Sequence, residues 1–404
     1  MTRHDDTSHV HPPKRSQEPF HAVAMSVERA STVVFDDLES FERRVERLYD
    51  GFSYGLYGTP TSRRLEDHIA VLEGASRALV VPSGMAALTL TTMAVCQSGD
   101  RVLVPETLYG PARDMAERLL RPLGIEAISY HPRLDAGISA SIDDRARLVW
   151  VESPGSTTFE VQDVPAIVAV AHRAGALVAA DNTWASHLLF KPLAHGVDIS
   201  MQALSKHAGG HGDLLMGSVA VRDEALFRRL KDTSRFLGYG VSPEDCALCE
   251  RGLMTMPVRM RHADSTARKV IAWLSGRAEV AQILHPSEPG HPGHAVWKRD
   301  FAGSAGVFSF VLQPELAPMQ SRVLRRMQLF RLGASWGGVH SLISVSDPRK
   351  GRTSIDWLKP GPVWRLTIGL EALDDLLADL SQAFELFADA RRDGTAAADA
   401  KAAE

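Results

Sequence analysis

Two short apolar runs lie close together in this chain, and each ends in polar residues at its C-terminal edge. Residues 176–180 lead into Asp181-Asn182-Thr183, and residues 199–204 lead into Ser205-Lys206-His207. Runs of this length, alternating with helical segments, suit parallel strands buried on both faces. In open α/β sheets, ligands bind outside the carboxyl ends of such strands. An Asp and a Lys are therefore delivered to one crevice. That pair suits pyridoxal phosphate: a lysine amine forms a Schiff base with its aldehyde, and a carboxylate keeps the pyridine nitrogen protonated, so the ring accepts electrons. Taken alone, the same two residues also read as a turn-capping Asp and a surface Lys.

The surrounding chain repeats the strand-then-loop form. Residues 78–81 pass through Pro82-Ser83-Gly84 into a helix, which reads either as a phosphate-binding helix start or as an ordinary turn. Residues 101–104 precede a loop carrying Tyr109, and residues 148–151 precede Glu152-Ser153-Pro154-Gly155-Ser156. A helix over 167–174 follows. Several such units in a row predict a mostly parallel sheet with helices on both faces and its polar loops along one edge.

Other segments are read more simply. Residues 1–22 are polar, hold His4, His9 and His11 without a helical ligand spacing, and predict a mobile tail. Residues 31–35 form a short β-branched segment, and 54–60 a Gly/Pro loop, with Thr61 or Ser62 capping the next helix and Glu66-Asp67 in its first turn. A long helix over 244–266, continuing toward 275, leads to a second domain with strands at 306–312 and 363–371, the segment 333–345 between them and a last helix over 373–388. The Ala-rich end beyond Arg392 is expected to fray.

Composition excludes several classes. A net charge of -4 over 404 residues gives no basic surface for nucleic acid and no reason to invoke a membrane. No apolar run approaches a membrane span, and no signal-peptide core opens the chain, so the expected compartment is cytoplasmic. Three cysteines make no disulfide framework; Cys246 and Cys249, on one helix, are read as packing residues rather than metal ligands, and no metal site is expected.

The motifs YGLYGTPT, VPSGMAA, ESPGS, DNTWAS, the Lys206 segment, WKRDFAGSAGVFSFVL, SWGG and WRLTIGLE together resemble the cysteine/methionine-metabolism family of pyridoxal-phosphate-dependent enzymes, and within it the bacterial β-lyases of cystathionine. The similarity spans roughly residues 30–386. It implies an aspartate-aminotransferase-like α/β fold (fold type I), with a large mostly parallel sheet domain and a smaller C-terminal α/β domain. The expected divisions are a tail and subunit-contacting arm (1–62), a cofactor domain (63–255), a substrate domain (256–392) and a disordered end (393–404). It further implies a homotetramer of dimers with shared active sites.

Carried across by motif, Lys206 resembles the Schiff-base lysine and proton carrier, Asp181 the partner of the pyridine nitrogen, and Tyr109 the ring-stacking acid/base. The amides of Gly84 and Met85 and the Ser205 hydroxyl would hold the phosphate. Tyr54 matches a tyrosine donated by a neighbouring subunit. Arg365, helped by Ser335 and Trp336, would grip the α-carboxylate of a small sulfur amino acid with two parallel bonds. One position departs from the family: Leu56 stands where an Arg usually reaches a neighbour's phosphate, with Arg63 or Arg64 as candidate substitutes.

Four features favour β-elimination over γ-chemistry. Ala334, not Glu, precedes the Ser335-Trp336-Gly337-Gly338 segment; Trp336 matches the SWGG form of β-lyases; Gly155-Ser156 replaces an SNP; and Pro111 stands where methionine γ-lyases carry Cys. The implied activity is cleavage of cystathionine to homocysteine, pyruvate and ammonia, in the route to methionine. A β-lyase of another cysteine thioether or of cystine, a γ-lyase or γ-synthase, and a non-catalytic relative are the alternatives.

Overall fold

The computed structural model describes residues 4–13, 22–350, 352–353 and 355–392. Seven strands form one sheet: β1 (Arg77–Val81), β2 (Arg101–Pro105), β3 (Glu126–Tyr130), β4 (Ala146–Glu152), β5 (Leu177–Asp181), β6 (Ile199–Gln202) and β7 (Gly217–Val221). Their order is β1-β7-β6-β5-β4-β2-β3. Only β7 runs antiparallel to its neighbours, β1 and β6; the remaining pairs are parallel.

Parallel neighbours need crossovers, and here helices supply them on both faces. Along β1, Ala78 and Val80 pack with Leu65 and Ile69 of helix Pro60–Glu73, while Leu79 and Val81 pack with Leu88 and Leu90 of helix Gly84–Val95. This two-sided cover is why the strands read as continuous apolar runs. Each fully buried Val or Leu contributes about 1.5–3 kcal/mol, so a polar residue inside a strand would be costly and polar chemistry is displaced to the strand ends.

Helix Pro243–Ser275 leads to a second sheet of β8 (Val280–Leu284), β9 (Val307–Leu312), β10 (Arg331–Leu332), β11 (Leu342–Ser346) and β12 (Val363–Thr367), ordered β10-β11-β12-β9-β8. Its cover is the last helix, Leu373–Arg392, whose Leu376, Leu380, Phe384 and Phe387 fall on one face and are fully buried. Cys246 and Cys249 are buried free thiols in the core against helix Pro60–Glu73 and the sheet.

Several local expectations differ from the structure. Within the segment read as a mobile tail, Asp5–Val10 is a helix with His9 fully buried. Residues 14–21 and those beyond Arg392 lie outside the described residues. The β-branched segment 31–35 forms a single bridge, from Thr32 to Tyr54. The helix after the 54–60 loop starts earlier than predicted: Thr59, not Thr61 or Ser62, is the cap. Its hydroxyl accepts from Ser62 N (3.3 Å) and its own N–H donates to Ser62 Oγ (2.9 Å). Pro60 at the first helical position fixes that start.

The loop between β11 and β12 reaches back to the first sheet. Arg352 donates to Glu160 Oε1 (2.7 Å) and Thr158 Oγ1 (3.0 Å), and Trp357 Nε1 reaches the same Glu160 oxygen at 3.3 Å. Thr353 donates its N–H and hydroxyl to Glu106. The side chains of Arg352 and Glu160 are 3% and 0% exposed, so each charge depends on the other. Removing one partner of such a pair costs about 3–5 kcal/mol. Arg352→Ala is expected to lower unfolding stability by that amount in urea titration; a loss under about 1 kcal/mol would show the contact to be incidental.

Candidate active site

Because β4, β5 and β6 are parallel and adjacent, their C-terminal ends form one row. Glu152 pairs in register with Asp181, and Asp181 with Met201 one residue before the end of β6. Lys206 follows four residues after Gln202. Thr183 ties this row together: its hydroxyl donates to Asp181 Oδ1 (2.5 Å) and accepts from Ala203 N (2.9 Å), and its N–H also reaches Asp181 Oδ1 (3.0 Å).

A cavity of about 270 Å³ opens over these ends. Gly84, Met85, Tyr109, Asp181, Ser205, Lys206, Trp336 and Arg365, all singled out from the sequence, line it. Ser335 reaches it through Lys206, whose Nζ donates to Ser335 Oγ at 2.7 Å and lies 5.6 Å above the Trp336 ring. His207, the next residue, is buried: its Nε2 lies 3.1 Å from the Trp184 carbonyl and its ring meets Trp336 edge-on at 5.3 Å. Arg365 stands on β12 and is oriented by a bond from Nη2 to the Ala334 carbonyl (3.0 Å).

Two predicted groups are placed elsewhere. Tyr54 does not line this chain's cavity; it is 45% exposed and packs edge-on against Tyr57. Arg63 is committed to the fold: it is 3% exposed, pairs with Glu66 (3.0 Å) and donates to the carbonyls of Tyr57 (2.8 Å) and Gly51 (3.1 Å). Neither Arg63 nor Arg64 lines this chain's own cavity. Leu56 packs toward Gly240, where an added Cβ would lie 3.3 Å from its Cδ1.

The electrostatics follow from burial. Lys206 is pushed below the usual amine range by burial and then by Arg365, with Asp181 opposing. Its free amine is thus more accessible near neutrality. Glu152, which the sequence reading passed over as a loop residue, is held well above the carboxyl range by burial and by the charge on Asp181. Asp181 is also raised by burial, but both Thr183 bonds and Lys206 pull it back. Of the pair, Glu152 holds a proton more tightly. Its two oxygens are spoken for: Tyr109 N–H reaches one (2.7 Å) and Ser156 Oγ the other (2.6 Å). The available signal was a third adjacent strand ending in an acid.

The residues fit pyridoxal phosphate. Helix Gly84–Val95 starts at the cavity, where the first N–H groups have no intrahelical acceptor; Ser83 takes Ala86 and Ala87, leaving Gly84 and Met85 to face a phosphate. The cradle is shaped for close approach, since a Cβ on Gly84 would sit 2.7 Å from that of Ala203, and one on Gly217 would sit 2.4 Å from the Ser83 carbonyl. Lys206 and Asp181 would then meet the aldehyde carbon and the ring nitrogen.

This sheet, the helix-start cradle and the strand-end lysine define the fold type I class of pyridoxal-phosphate-dependent enzymes. The family model described as Cys/Met metabolism PLP-dependent enzyme matches residues 6–385, and the chain belongs to that family. Among curated relatives, a putative cystathionine beta-lyase of Rhizobium johnstonii is 43% identical over 363 residues, 89% of this chain and 90% of the relative. The cystathionine beta-lyase MetC of Escherichia coli is 37% identical over 388 residues, 94% of this chain and 98% of its own length. Among solved structures, metB from Corynebacterium glutamicum superposes with a TM-score of 0.87 at 27% identity, covering 96% of this chain and 99% of the other.

The protonated reading of Glu152 is testable. Glu152→Gln keeps an oxygen that accepts from Tyr109 N–H and sets an amide N–H, in the place of a protonated carboxyl oxygen, against Ser156 Oγ, whose hydroxyl can turn to accept it; it should bind pyridoxal phosphate like the parent. Glu152→Ala removes both and should weaken binding about 5- to 150-fold, for a loss of roughly 1–3 kcal/mol. Titration of cofactor-free protein, read by absorbance, separates the two; equal loss in both variants would mean the carboxylate acts as a charge.

Proposed function

We propose that the protein is a pyridoxal-phosphate-dependent carbon–sulfur β-lyase acting on cystathionine, yielding homocysteine, pyruvate and ammonia. The observation that carries this reading is the convergence of Lys206, Asp181 and Arg365 on one cavity walled by Tyr109 and Trp336. The names of the relatives and Ala334 before Ser335-Trp336 favour the β-reaction within the family.

When bound, the cofactor supplies an electron sink for the changes at Cα and Cβ. Arg365 binds the substrate α-carboxylate, already aimed by the Ala334 carbonyl. Lys206 would hold the cofactor covalently and move the Cα proton; burial and then Arg365 lower its amine below the usual range, which favours the unprotonated form. Ser335 Oγ, 2.7 Å from Nζ, steers that amine. Tyr109 would face the cofactor ring and serve as a second acid/base, its backbone anchored by Glu152. Gly84, Met85 and Ser205 hold the phosphate. Asp181 holds the proton on the ring nitrogen, with Thr183 fixing its oxygen.

We place Tyr54 and Leu56 at a neighbouring subunit's site, in a homotetramer of dimers. Tyr54's exposure and distance from its own cavity support that assignment. A cytoplasmic role in methionine biosynthesis completes the reading; no helix among the described residues is long and apolar enough to cross a membrane.

Lys206→Ala is expected to abolish turnover, and steady-state activity in that variant would sink the assignment. Arg365→Ala should cost about 2–5 kcal/mol in kcat/KM for cystathionine, while an unchanged value would remove Arg365 from the site. The reaction itself is tested by supplying cystathionine, cystine and S-alkyl cysteines. Pyruvate should appear from the preferred substrate, and 2-oxobutyrate as the main product from cystathionine would overturn the β-lyase reading.

A further inference from the structure

Three histidines that this chemistry does not use meet beneath the N-terminal helix Asp5–Val10. His9, His68 and His187 are 0%, 0% and 3% exposed. The rings of His9 and His187 lie 4.9 Å apart, with their Nε2 atoms at 2.9 Å. One of those nitrogens must donate and the other accept.

The neighbours decide which. His9 Nδ1 lies 2.9 Å from the Asp5 carbonyl, which only accepts, so the His9 proton is on Nδ1 and its Nε2 is the acceptor. His187 therefore donates from Nε2, and its Nδ1 accepts from Gln202 Nε2 at 3.3 Å. The other proton of that amide goes to Glu73, which also takes the Ser200 hydroxyl (3.0 Å). With the Gln202 amide nitrogen toward His187 and Glu73, this arrangement satisfies the chain with both imidazoles neutral. A further proton on His9 would set N–H against N–H at 2.9 Å.

The charged groups around the pair do not relieve that conflict. Asp5 and Asp6, on the helix itself, are engaged by Lys191 (2.8 Å) and Arg261 (3.0 Å). His68 is bonded to Glu250 (2.9 Å) and to the Ser8 carbonyl (2.9 Å), and Glu73 lies behind Gln202. Burial outweighs the attraction of Asp5 and Asp6 and pushes His9 below the usual histidine range; His187 is pushed well below it.

What the helix grips is the stretch that serves the site. His187 lies in the short helix Ser186–Leu189 that follows Asp181, and Gln202 ends the strand that leads to Lys206. We propose that the N-terminal helix is a proton-sensitive clasp on the segment between β5 and β6, docked while His9 and His187 are neutral and released when His9 is protonated. The sign follows from the direction of the shifts. A neutral-preferring histidine stabilises docking above its ordinary value, about 6.5, and that stabilisation is lost as pH falls through it. For one proton taken up, the docking constant falls about tenfold per pH unit below that value.

Thr7 is exposed on the docked helix, and the three native cysteines are buried. Thr7→Cys in the cofactor-loaded protein, labelled with a fluorophore, reports docking as anisotropy. Anisotropy should fall between about pH 7.5 and 5. His9→Gln, which keeps a neutral acceptor for His187, should stay docked across that range, and His9→Leu, which cannot titrate, serves as the second variant. A flat parent curve, a step only below about pH 4 where carboxylates titrate, or the same step in a variant docked at pH 7.5 overturns the proposal. If neither variant docks, the parent curve alone decides between the same outcomes.

Discussion

Every feature of the cavity depends on the parallel pairing of β4, β5 and β6. Parallel strands point their carboxyl ends the same way, so Glu152, Asp181 and the turn to Lys206 arrive on one edge without any loop having to bring them there. The crossovers that parallel pairing requires also bury both faces of the sheet. That burial makes the edge a low-dielectric rim, where each charge acts strongly on its neighbours. Thr183 bridges the two strand ends, so Asp181 and the approach to Lys206 move as one unit.

The rim is populated so that its charges can coexist. Two adjacent carboxyls at the ends of β4 and β5 would repel if both were ionised. Thr183 and Lys206 favour the charge on Asp181, while Glu152 is left to hydrogen bonds from Tyr109 and Ser156. Burial and then Arg365, arriving from another sheet, lower Lys206 below the usual amine range, and Arg365 awaits an anion. An anion, an amine lowered from its usual range and a cation facing the cavity are what an amino-acid substrate with a pyridine cofactor needs.

The second sheet is therefore half of the site. It contributes Ser335, Trp336 and Arg365, and its position is held by Arg352, which reaches Glu160 across the cleft. The same arginine bonds Thr158, between Thr157 and Phe159, two residues with positive φ (71° and 59°) that line the cavity. Side chains of this size occupy that region at some cost, and the buried ion pair supplies the restraint that keeps them there. At the opposite face of β5 and β6, the histidine chain under the N-terminal helix performs a similar service with neutral groups.

Patterns carried by neighbours in sequence were legible without coordinates. Apolar runs ending in Asp181 and Lys206, the helix start at Ser83-Gly84, the long helix after residue 243 and the striped last helix each express a local periodicity or a strand-end rule. Features that pair residues far apart were decided by the tertiary structure alone. Glu152 acquires its meaning only from register with Asp181, and Arg352 only from Glu160, 192 residues away. Arg63 looked free to meet a phosphate until the chain folded three acceptors around it. The N-terminal helix was invisible because six residues show no apolar stripe, and what docks them is His9, a residue whose sequence signature is polar and whose burial depends on hydrogen bonds to His187 and Asp5. Sequence alone determines local propensity and burial pattern; which polar groups satisfy one another depends on distances between distant segments, and those exist only once the chain has packed.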